Sequence, residues 1–339
     1  MLKENLHSIP LSAPVNVTWE ITRRCNLNCK HCLSRDRMND CASDMTFAEC
    51  KQFVDDLLAC DVFQVNIGGG EPFMREDIWD ILAYCHDQGM VTCVSTNGAL
   101  IDGEAAKRLT AMPLNYIQVS LDGHKKETND AIRGEGTYDI AMGAIERLTN
   151  AGFPHLSINT VVTRVNFREL PDLYALAKRY HAKTRLSRFR PSGNAAAMWE
   201  QYHLTKEQTL ELAELLSTYK DIVTGDSFFS ITAADRKHLG LNMCGAAKMT
   251  CSVSPDGNMY PCAFLQQDDF LVGNVKQQKF IDIWNDAPLL NEFRNLKPTS
   301  CGDCERFDTC HGGCPAIAYF LKNDIHAGDP ACIIHMSES

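Results

Sequence analysis

The chain has no surplus of basic charge. Its 339 residues include 33 Lys and Arg against 43 Asp and Glu, a formal net charge of −10. Proteins that bind nucleic-acid duplexes usually carry a basic face, so their electrostatic footprint is missing here. No apolar run approaches the ~18 residues that a membrane span needs, and the first residues, MLKENLHSIPLSAPVNV, hold no secretory signal. We therefore expect a cytoplasmic protein whose partners include neither nucleic acid nor a membrane.

Cysteine is missing from the middle of the chain. Eight of the sixteen cysteines precede Val94 and eight follow Met243, so the residues between hold none. Cysteines that form disulfides would not be absent from the middle of the chain. In a chain of this size without a secretory signal, cysteines more often bind metal or serve redox chemistry. The hydrophobic content of 45% is ample for a packed core. The two cysteine-rich ends are therefore candidate metal sites.

Short apolar runs alternate with amphipathic helical runs from residue 15 to residue 190. The predicted strands are 15–22, 62–68, 90–96, 115–121, 156–163 and 184–190, and the predicted helices are 46–59, 76–88, 103–112, 137–151 and 167–180. Strands that alternate with helices predict consecutive βα units and a parallel sheet. Six units are too few for a closed eight-unit barrel. We expect an α/β fold with an open partial (βα)6 barrel and a site at the C-terminal strand ends.

The character of the chain changes after this region. Residues 204–220 predict another helix, with Thr205 and Gln208 placed as a capping box. From Met243 onward the sequence is irregular and rich in Cys and Gly, which predicts a small domain held by metal rather than by a large apolar core. The expected organisation is an N-terminal segment 1–14, a barrel 15–200, a helical bridge 201–239 and a cysteine-rich domain 240–339.

The stretch RRCNLNCKHCLSR directly follows the first predicted strand and spaces Cys25, Cys29 and Cys32 as C-x3-C-x2-C. Soft thiolates at this spacing favour zinc or an iron–sulfur cluster. The pattern resembles the signature of the radical S-adenosylmethionine (SAM) superfamily. That resemblance implies a 4Fe–4S cluster held by three cysteines, whose open iron is chelated by the amino nitrogen and carboxylate of SAM. The family residue before the third cysteine is usually aromatic, whereas here it is His31.

Further elements at the predicted strand ends strengthen this resemblance. GGEP, STNG and SLDG end the second, third and fourth strands, and AIRGEG follows. The resemblance implies SAM contacts from His31, Gly69, Gly70, Glu71, Pro72, Ser95, Asn97, Ser120, Asp122 and Arg133. Glu71 would meet the methionine amino group, His31 would pack beside the adenine, and Arg133 would pair with the carboxylate. The alternatives are a tight βα turn at GGEP, helix caps at the Ser and Asn residues, and an exposed ion pair at Arg133.

The resemblance also implies a reaction type. A reduced cluster passes one electron to the sulfonium of SAM, and the resulting 5′-deoxyadenosyl radical takes a hydrogen atom from an unactivated carbon. The electron would come from a reductant such as flavodoxin or ferredoxin.

The C-terminal stretch CGDCERFDTCHGGC carries a second signature, C-x2-C-x5-C-x3-C. With the cysteines around it, it resembles the SPASM domain of peptide-modifying radical SAM enzymes, which carries two auxiliary clusters, expected to be 4Fe–4S. The resemblance implies two ligand sets, Cys244, Cys251, Cys262 and Cys314 for the first cluster and Cys301, Cys304, Cys310 and Cys332 for the second. The alternative is a pair of structural zinc sites. Of the other cysteines, Cys50, Cys60, Cys85 and Cys93 are expected in the core, and Cys41 lies in a polar loop.

Several stretches resemble one subfamily, the mycofactocin radical SAM maturases. They are VNIGGGEPF, LSRFRPSGN, TGDSFFSI and GLNMCGAAK. This resemblance implies oxidative decarboxylation of the C-terminal tyrosine of a ribosomal precursor peptide, followed by a carbon–carbon bond to the β-carbon of the preceding valine. Only 24 residues precede Cys25, which leaves no room for a fused recognition domain of ~80 residues. The resemblance implies a separate small leader-peptide-binding protein as a partner.

Alternatives remain for the substrate and for its contacts. Other SPASM-type maturases include thioether-forming peptide cyclases, sulfatase-activating enzymes and tetrapyrrole side-chain oxidases. A non-catalytic electron carrier or zinc scaffold would not need the strand-end motifs. Asp226 or Ser227 is a candidate substrate contact, against a simple turn before a buried aromatic pair. Arg188 and Arg190 alternate along the sixth strand, so they share a face that would meet a peptide carboxylate or form a salt bridge inside the sheet.

Overall fold

The computed structural model describes residues 11–34, 44–224, 244–305 and 307–332. Its strands are β1 Asn16–Thr22, β2 Gln64–Gly69, β3 Val91–Thr96, β4 Tyr116–Ser120, β5 Leu156–Val162, β6 Lys183–Arg188, β7 Thr250–Val253, β8 Asn258–Tyr260 and β9 Gly273–Asn274. Its α-helices are α1 Phe47–Ala59, α2 Ile78–Asp87, α3 Gly103–Thr110, α4 Lys126–Arg133, α5 Thr137–Asn150, α6 Leu170–Arg179, α7 Trp199–Tyr202, α8 Lys206–Thr218, α9 Phe280–Asp286, α10 Pro288–Arg294, α11 Phe307–Cys310 and α12 Pro315–Lys322. Within these residues no helix is long and apolar enough to cross a bilayer.

The strands form one sheet in the order β6-β5-β4-β3-β2-β1-β7-β8-β9. The first six are parallel, and helices connect them, as consecutive βα units require. On β1, Val17 and Trp19 pack beneath the helices, whereas Thr18 and Glu20 face a cavity on the other side of the sheet. All six strands contribute residues to that cavity, so the sheet curves around it. The predicted partial barrel is confirmed.

Two of the described helices, α1 and α8, begin at a capping box. At the start of α1, Thr46 Oγ1 accepts a hydrogen bond from Glu49 N, and the Glu49 carboxylate accepts one from Thr46 N. The capping box predicted for α8 is also present, between Thr205 and Gln208. All the predicted strands and helices exist, with ends shifted by at most three residues. Sequence reasoning missed α4, KETNDAIR, because it has almost no apolar residues to show a helical period.

The region from Cys244 to Cys332 is more regular than expected. Strand β7 pairs in parallel with β1, and β8 and β9 extend the same sheet in antiparallel fashion. Helix α9 buries Phe280 and Trp284 in the same core as the barrel helices, and Phe280 meets Phe53 of α1 edge-to-face at 6.1 Å between ring centroids. The expectation that this region is irregular and has no large apolar core is therefore wrong. The short strands β7–β9 carry too little periodicity to be recognised.

Candidate functional site

A cavity of about 280 Å³ opens at the C-terminal ends of the barrel strands. This is the edge where open α/β sheets bind ligands. Its lining includes the three thiols of the C-x3-C-x2-C loop and seven of the ten residues predicted to contact SAM, namely His31, Gly69, Gly70, Ser95, Asn97, Ser120 and Arg133. The structure thus brings together residues that the sequence spreads over more than a hundred positions. Their role in SAM binding stays a prediction.

The cysteine loop is held against two other segments. Asn194 donates hydrogen bonds from its backbone N to Cys32 O, 3.0 Å, and from its side chain to Cys29 O, 3.1 Å. On the other side, Glu71 N donates to Arg24 O at 2.8 Å. A Cβ on Gly70 would lie 2.1 Å from Arg24 O, so only glycine permits this close approach. The glycine-rich turn therefore fixes the loop that carries the thiols.

The three thiols of this loop are close enough to act on each other. Burial raises the pKa of Cys32 to about 11, and the neighbouring thiols of Cys29 and Cys25 add to the rise. Burial also raises the pKa of Cys29, and the positive charge of Arg133 opposes this rise. Because the thiolate is the form that binds iron, a bound cation would overcome this burial cost. The set suits a positively charged metal centre.

Glu71 lies beneath the cavity and does not line it. Its side chain is fully buried and accepts hydrogen bonds from Thr96 Oγ1 at 2.8 Å, Asn97 N at 2.8 Å and Phe73 N at 3.3 Å. Burial raises the pKa of Glu71 to about 7, although these bonds oppose the rise. In this arrangement the carboxylate ties the turn after β2 to the turn after β3. Pro72 lies outside the cavity lining as well.

Asp122 is the third predicted contact that does not line the cavity. Its Oδ2 lies 2.6 Å from Arg133 Nε and 3.0 Å from His31 Nε2, and its Oδ1 accepts a hydrogen bond from Val161 N at 2.7 Å. Burial alone would raise the pKa of Asp122, but the Arg133 charge and His31 lower it to about 2. Asp122 is therefore a buried anion that holds the two cavity side chains His31 and Arg133 in place.

The first predicted auxiliary set is only partly brought together. Burial raises the pKa of Cys262 to about 12, and Cys244 and Cys314 act on the same thiol. Cys251 lies on β7 opposite Val17, hence on the helix-facing side of the sheet, and it belongs to the apolar core. Burial raises its pKa strongly, and the group that opposes this rise is Arg294. The structure therefore gathers Cys244, Cys262 and Cys314 and separates Cys251 from them by strand alternation.

The second predicted auxiliary set is gathered in full. Burial raises the pKa of Cys301, and the thiols of Cys332 and Cys304 contribute to the rise. Burial raises the pKa of Cys310 to about 12, and the thiol of Cys332 adds to the rise. The turn between Cys310 and Cys314 uses Gly312 and Gly313, both with positive φ.

The chemistry of the donors bears on the kind of group these sets could hold. Each gathered set consists of cysteine thiols, and thiolates are the soft ligands that iron–sulfur clusters take. Across residues 11–34, 44–224, 244–305 and 307–332, no three His, Cys, Asp or Glu side chains lie close enough to hold a single metal ion. The thiol donor sets fit iron–sulfur clusters by their chemistry.

Arg188 and Arg190 have partners that the sequence did not reveal. Arg188 forms a two-point ion pair with Asp329, from the C-terminal region rather than the sheet. Arg190 follows β6 by two residues, and its guanidinium lies 3.9 Å from the centroid of the Phe264 ring. Both arginines line the cavity. Asp226, Ser227 and Cys41 lie outside the described residues.

Sequence reasoning missed the polar inner face of the barrel. Glu20, Asn66, Asn159 and Ser187 all line the cavity. Glu20 is buried and accepts a hydrogen bond from Ser34 Oγ at 3.1 Å. Strands of a parallel sheet are normally continuous hydrophobic runs. Here polar residues occupy alternate positions of these strands, and that pattern was the available signal for a polar inner face.

Comparisons with known proteins agree with this geometry. A model of the radical SAM superfamily matches residues 19–177, and a model of the SPASM iron–sulfur cluster-binding domain matches residues 244–306. Mycofactocin maturase MftC of Mycolicibacterium smegmatis is 41% identical over 328 residues, which cover 95% of this chain and 83% of that relative. This chain belongs to the mycofactocin maturase family of radical SAM proteins. It is accordingly a radical SAM enzyme, and its two family domains imply SAM and iron–sulfur clusters as cofactors.

A heme synthase and two solved structures are also similar to this chain, at lower identity. An AdoMet-dependent heme synthase of Methanosarcina barkeri is 30% identical over 351 residues, covering 95% of this chain and 97% of that relative. Among solved structures, Streptococcus suis SuiB bound to the precursor peptide SuiA has a TM-score of 0.80 at 17% identity, covering 96% of this chain and 76% of that one. Native anSMEcpe with bound AdoMet and the Cp18Cys peptide has a TM-score of 0.70 at 20% identity, covering 90% of each chain. These two likenesses establish the shared fold.

Proposed function

We propose that this protein matures a mycofactocin-type precursor peptide by oxidatively decarboxylating its C-terminal tyrosine and then joining that residue to the β-carbon of the preceding valine. Relatives that are 40–41% identical over nearly the whole chain carry the name mycofactocin maturase. The proposal depends on one observation, that a single cavity is bordered both by Cys25, Cys29 and Cys32 and by residues adjacent to Cys262. The radical SAM loop forms one side, and Ala263 and Phe264, next to Cys262, form another.

The chain's own residues have distinct parts in this proposal. Cys25, Cys29 and Cys32 would hold the first 4Fe–4S cluster, where bound SAM supplies a 5′-deoxyadenosyl radical that abstracts hydrogen. Asp122 keeps His31 and Arg133 oriented toward the cavity, and a guanidinium there suits the SAM carboxylate. Gly69 and Gly70 offer backbone at close range, and Ser95, Asn97 and Ser120 offer hydrogen bonds to the sugar.

Two auxiliary 4Fe–4S clusters complete the proposed cofactor content. Cys301, Cys304, Cys310 and Cys332 would hold one, and Cys244, Cys262 and Cys314 would supply three ligands to the other. Phe189, which is buried, and Phe264, which is partly buried, both line the cavity, and their rings would keep water from the reacting carbon. We further propose the domain division 1–14, 15–200, 201–239 and 240–339, a separate leader-peptide-binding partner, and a flavodoxin or ferredoxin as reductant.

The test is mass spectrometry of the precursor peptide after anaerobic incubation with holoenzyme, SAM, reductant and the leader-binding partner. We expect loss of carbon dioxide and two hydrogen atoms from the C-terminal residue, together with 5′-deoxyadenosine. The Cys32→Ala variant should form neither product, whereas Cys85→Ala, a core cysteine on α2, should form both. Deoxyadenosine with an unmodified peptide would contradict the peptide assignment and keep the radical chemistry.

A second candidate, oxidation of a tetrapyrrole side chain, is favoured by the heme synthases that are 28–30% identical. The same assay with an iron coproporphyrin in place of the peptide distinguishes the two. If the porphyrin is decarboxylated and the peptide is not, the protein is a tetrapyrrole side-chain oxidase.

A further inference from the structure

Arg190 lies where the cavity meets the cysteine set Cys244, Cys262 and Cys314. Its side chain is buried, with 6% of the residue exposed, and it lines the cavity together with Phe264. Nε donates a hydrogen bond to Cys314 Sγ at 3.5 Å, and Nη1 donates one to Arg188 O at 3.3 Å. The ring of Phe264 covers the guanidinium face at 3.9 Å. The orientation of the guanidinium is therefore fixed by its contacts with Cys314, Arg188 and Phe264.

The charge of Arg190 reaches the other two thiols of the set. The guanidinium of Arg190 is close enough to Cys244 and to Cys262 for its positive charge to act on both sulfurs. Lys248 acts on Cys244 as well. Arg188 also lies near Cys314, but its charge is matched by Asp329. Arg190 combines a charge felt at all three thiols with a direct N–H···S contact to one of them.

Such a contact has a defined effect on an iron–sulfur cluster. Reduction adds one electron and makes the cluster more negative, so a nearby cation and an N–H donor to sulfur stabilise the reduced form more than the oxidised form. The reduction potential of the cluster rises as a result. Hydrogen bonds to the cysteine sulfurs are among the main determinants of such potentials.

We propose that Arg190 is a positioning residue that raises the reduction potential of the cluster held by Cys244, Cys262 and Cys314, which favours that cluster as the acceptor of an electron from the substrate. This rests on the proposed function, in which the oxidative step releases one electron from the substrate. In that step the deoxyadenosyl radical would take one hydrogen atom from the β-carbon of the C-terminal residue and become 5′-deoxyadenosine. The bond from the α-carbon to the ionised carboxyl group would then break, with loss of carbon dioxide and formation of a double bond between the α- and β-carbons. The one electron left over would reduce the cluster, and the carboxyl proton goes to solvent. Arg190 itself is neither oxidised nor deprotonated.

The test is a redox titration of the holoenzyme without peptide, followed by electron paramagnetic resonance. In Arg190→Gln we expect one cluster potential to fall by about 59 mV, a tenfold change in its one-electron equilibrium, while the other potentials stay unchanged. Arg190→Lys keeps the charge but not the planar fork, so its potential should lie between those of Arg190→Gln and the wild type. The matched control is Arg108→Gln, because Arg108 also stacks on an aromatic ring, Trp79 at 4.4 Å, but is itself exposed on helix α3. It should leave every potential unchanged.

Two results would overturn the proposal. One is an unchanged set of potentials in Arg190→Gln with wild-type iron content. The other is loss of iron in both Arg190 variants, which would make Arg190 a structural support. Failure of the proposed function looks different, because peptide turnover would then be absent in the wild type while its cluster potentials could still be measured.

Discussion

Arg188 and Asp329 stand 141 residues apart in the chain and form a two-point ion pair, with Nη1–Oδ2 at 2.6 Å and Nη2–Oδ1 at 2.8 Å. The same carboxylate accepts hydrogen bonds from Cys314 N and Ala331 N, both at 3.0 Å. Asp329 therefore joins the end of β6 to the segments that carry Cys314 and Cys332. The barrel and the cysteine-rich region are held together by a buried polar contact as well as by the shared sheet.

Removing one member of this pair should be costly. In Arg188→Met the carboxylate of Asp329 stays buried without its cation, and we expect a loss of roughly 3–5 kcal/mol in unfolding free energy. Urea denaturation measures it. The control is Arg168→Met, whose partner Glu211 is well exposed, and it should cost less than about 1 kcal/mol. Equal losses in the two variants would refute the argument.

Cys251 provides a second prediction. Because it lies in the apolar core on the helix side of β7, Cys251→Ala should keep the full iron content and lose about 1 kcal/mol of stability. Cys262→Ala should lose the iron of one cluster. Iron analysis of both variants after anaerobic reconstitution measures this. An equal iron loss in Cys251→Ala would restore it as a fourth ligand.

Asp122 should govern SAM affinity without touching SAM. In Asp122→Asn the buried Arg133 loses its counter-charge and the contact of His31 Nε2 with a carboxylate oxygen is removed, so both side chains lose their fixed orientation. We expect SAM to bind about tenfold more weakly or worse, about 1.4 kcal/mol. Anaerobic equilibrium dialysis with holoenzyme measures it. Asp139→Asn removes an exposed partner of Lys126, and the idea fails if that change weakens SAM binding equally.

Glu71 should give stability a distinctive pH dependence. Its pKa is raised in the fold from 4.5 to about 7, so the native state binds a proton that the unfolded chain has already released. The stabilisation from this proton is fully present below pH 4.5 and is lost as the pH rises through about 7. It amounts to on the order of 3 kcal/mol of unfolding free energy, at 1.36 kcal/mol for each unit by which the pKa is raised.

Glu71→Gln removes this titration. Thermal unfolding midpoints between pH 4.5 and pH 8 should therefore fall less steeply in the variant than in the wild type. Identical slopes would show that Glu71 is not protonated in the fold. The matched control is Glu49→Gln on α1, whose pKa is lowered by its hydrogen bonds to Thr46, and it should leave the slope between pH 5 and pH 7 unchanged.

Much of the fold was predictable because the signals were local. Alternating strands and amphipathic helices predicted six βα units, and Thr205 with Gln208 predicted the start of α8. The polar helix α4 and the short strands β7–β9 were missed because they lack a clear hydrophobic period. The structure brings Cys262 and Cys314 together, whereas Cys251 lies apart from them, since strand alternation decides the face on which a side chain lies. Their role as cluster ligands stays a prediction.

The sequence by itself determined the chemistry available to this protein. Cysteine spacing and the glycine-rich strand ends are short-range patterns, so they specify metal-binding loops and close backbone approach without knowledge of the fold. Only the tertiary structure decided which side chains face the cavity and which lie beneath it. Glu71 and Asp122 became buried supports, Arg188 met Asp329, and Arg190 met Cys314, because contacts between distant segments depend on how the sheet curves and how the cysteine-rich region packs against it.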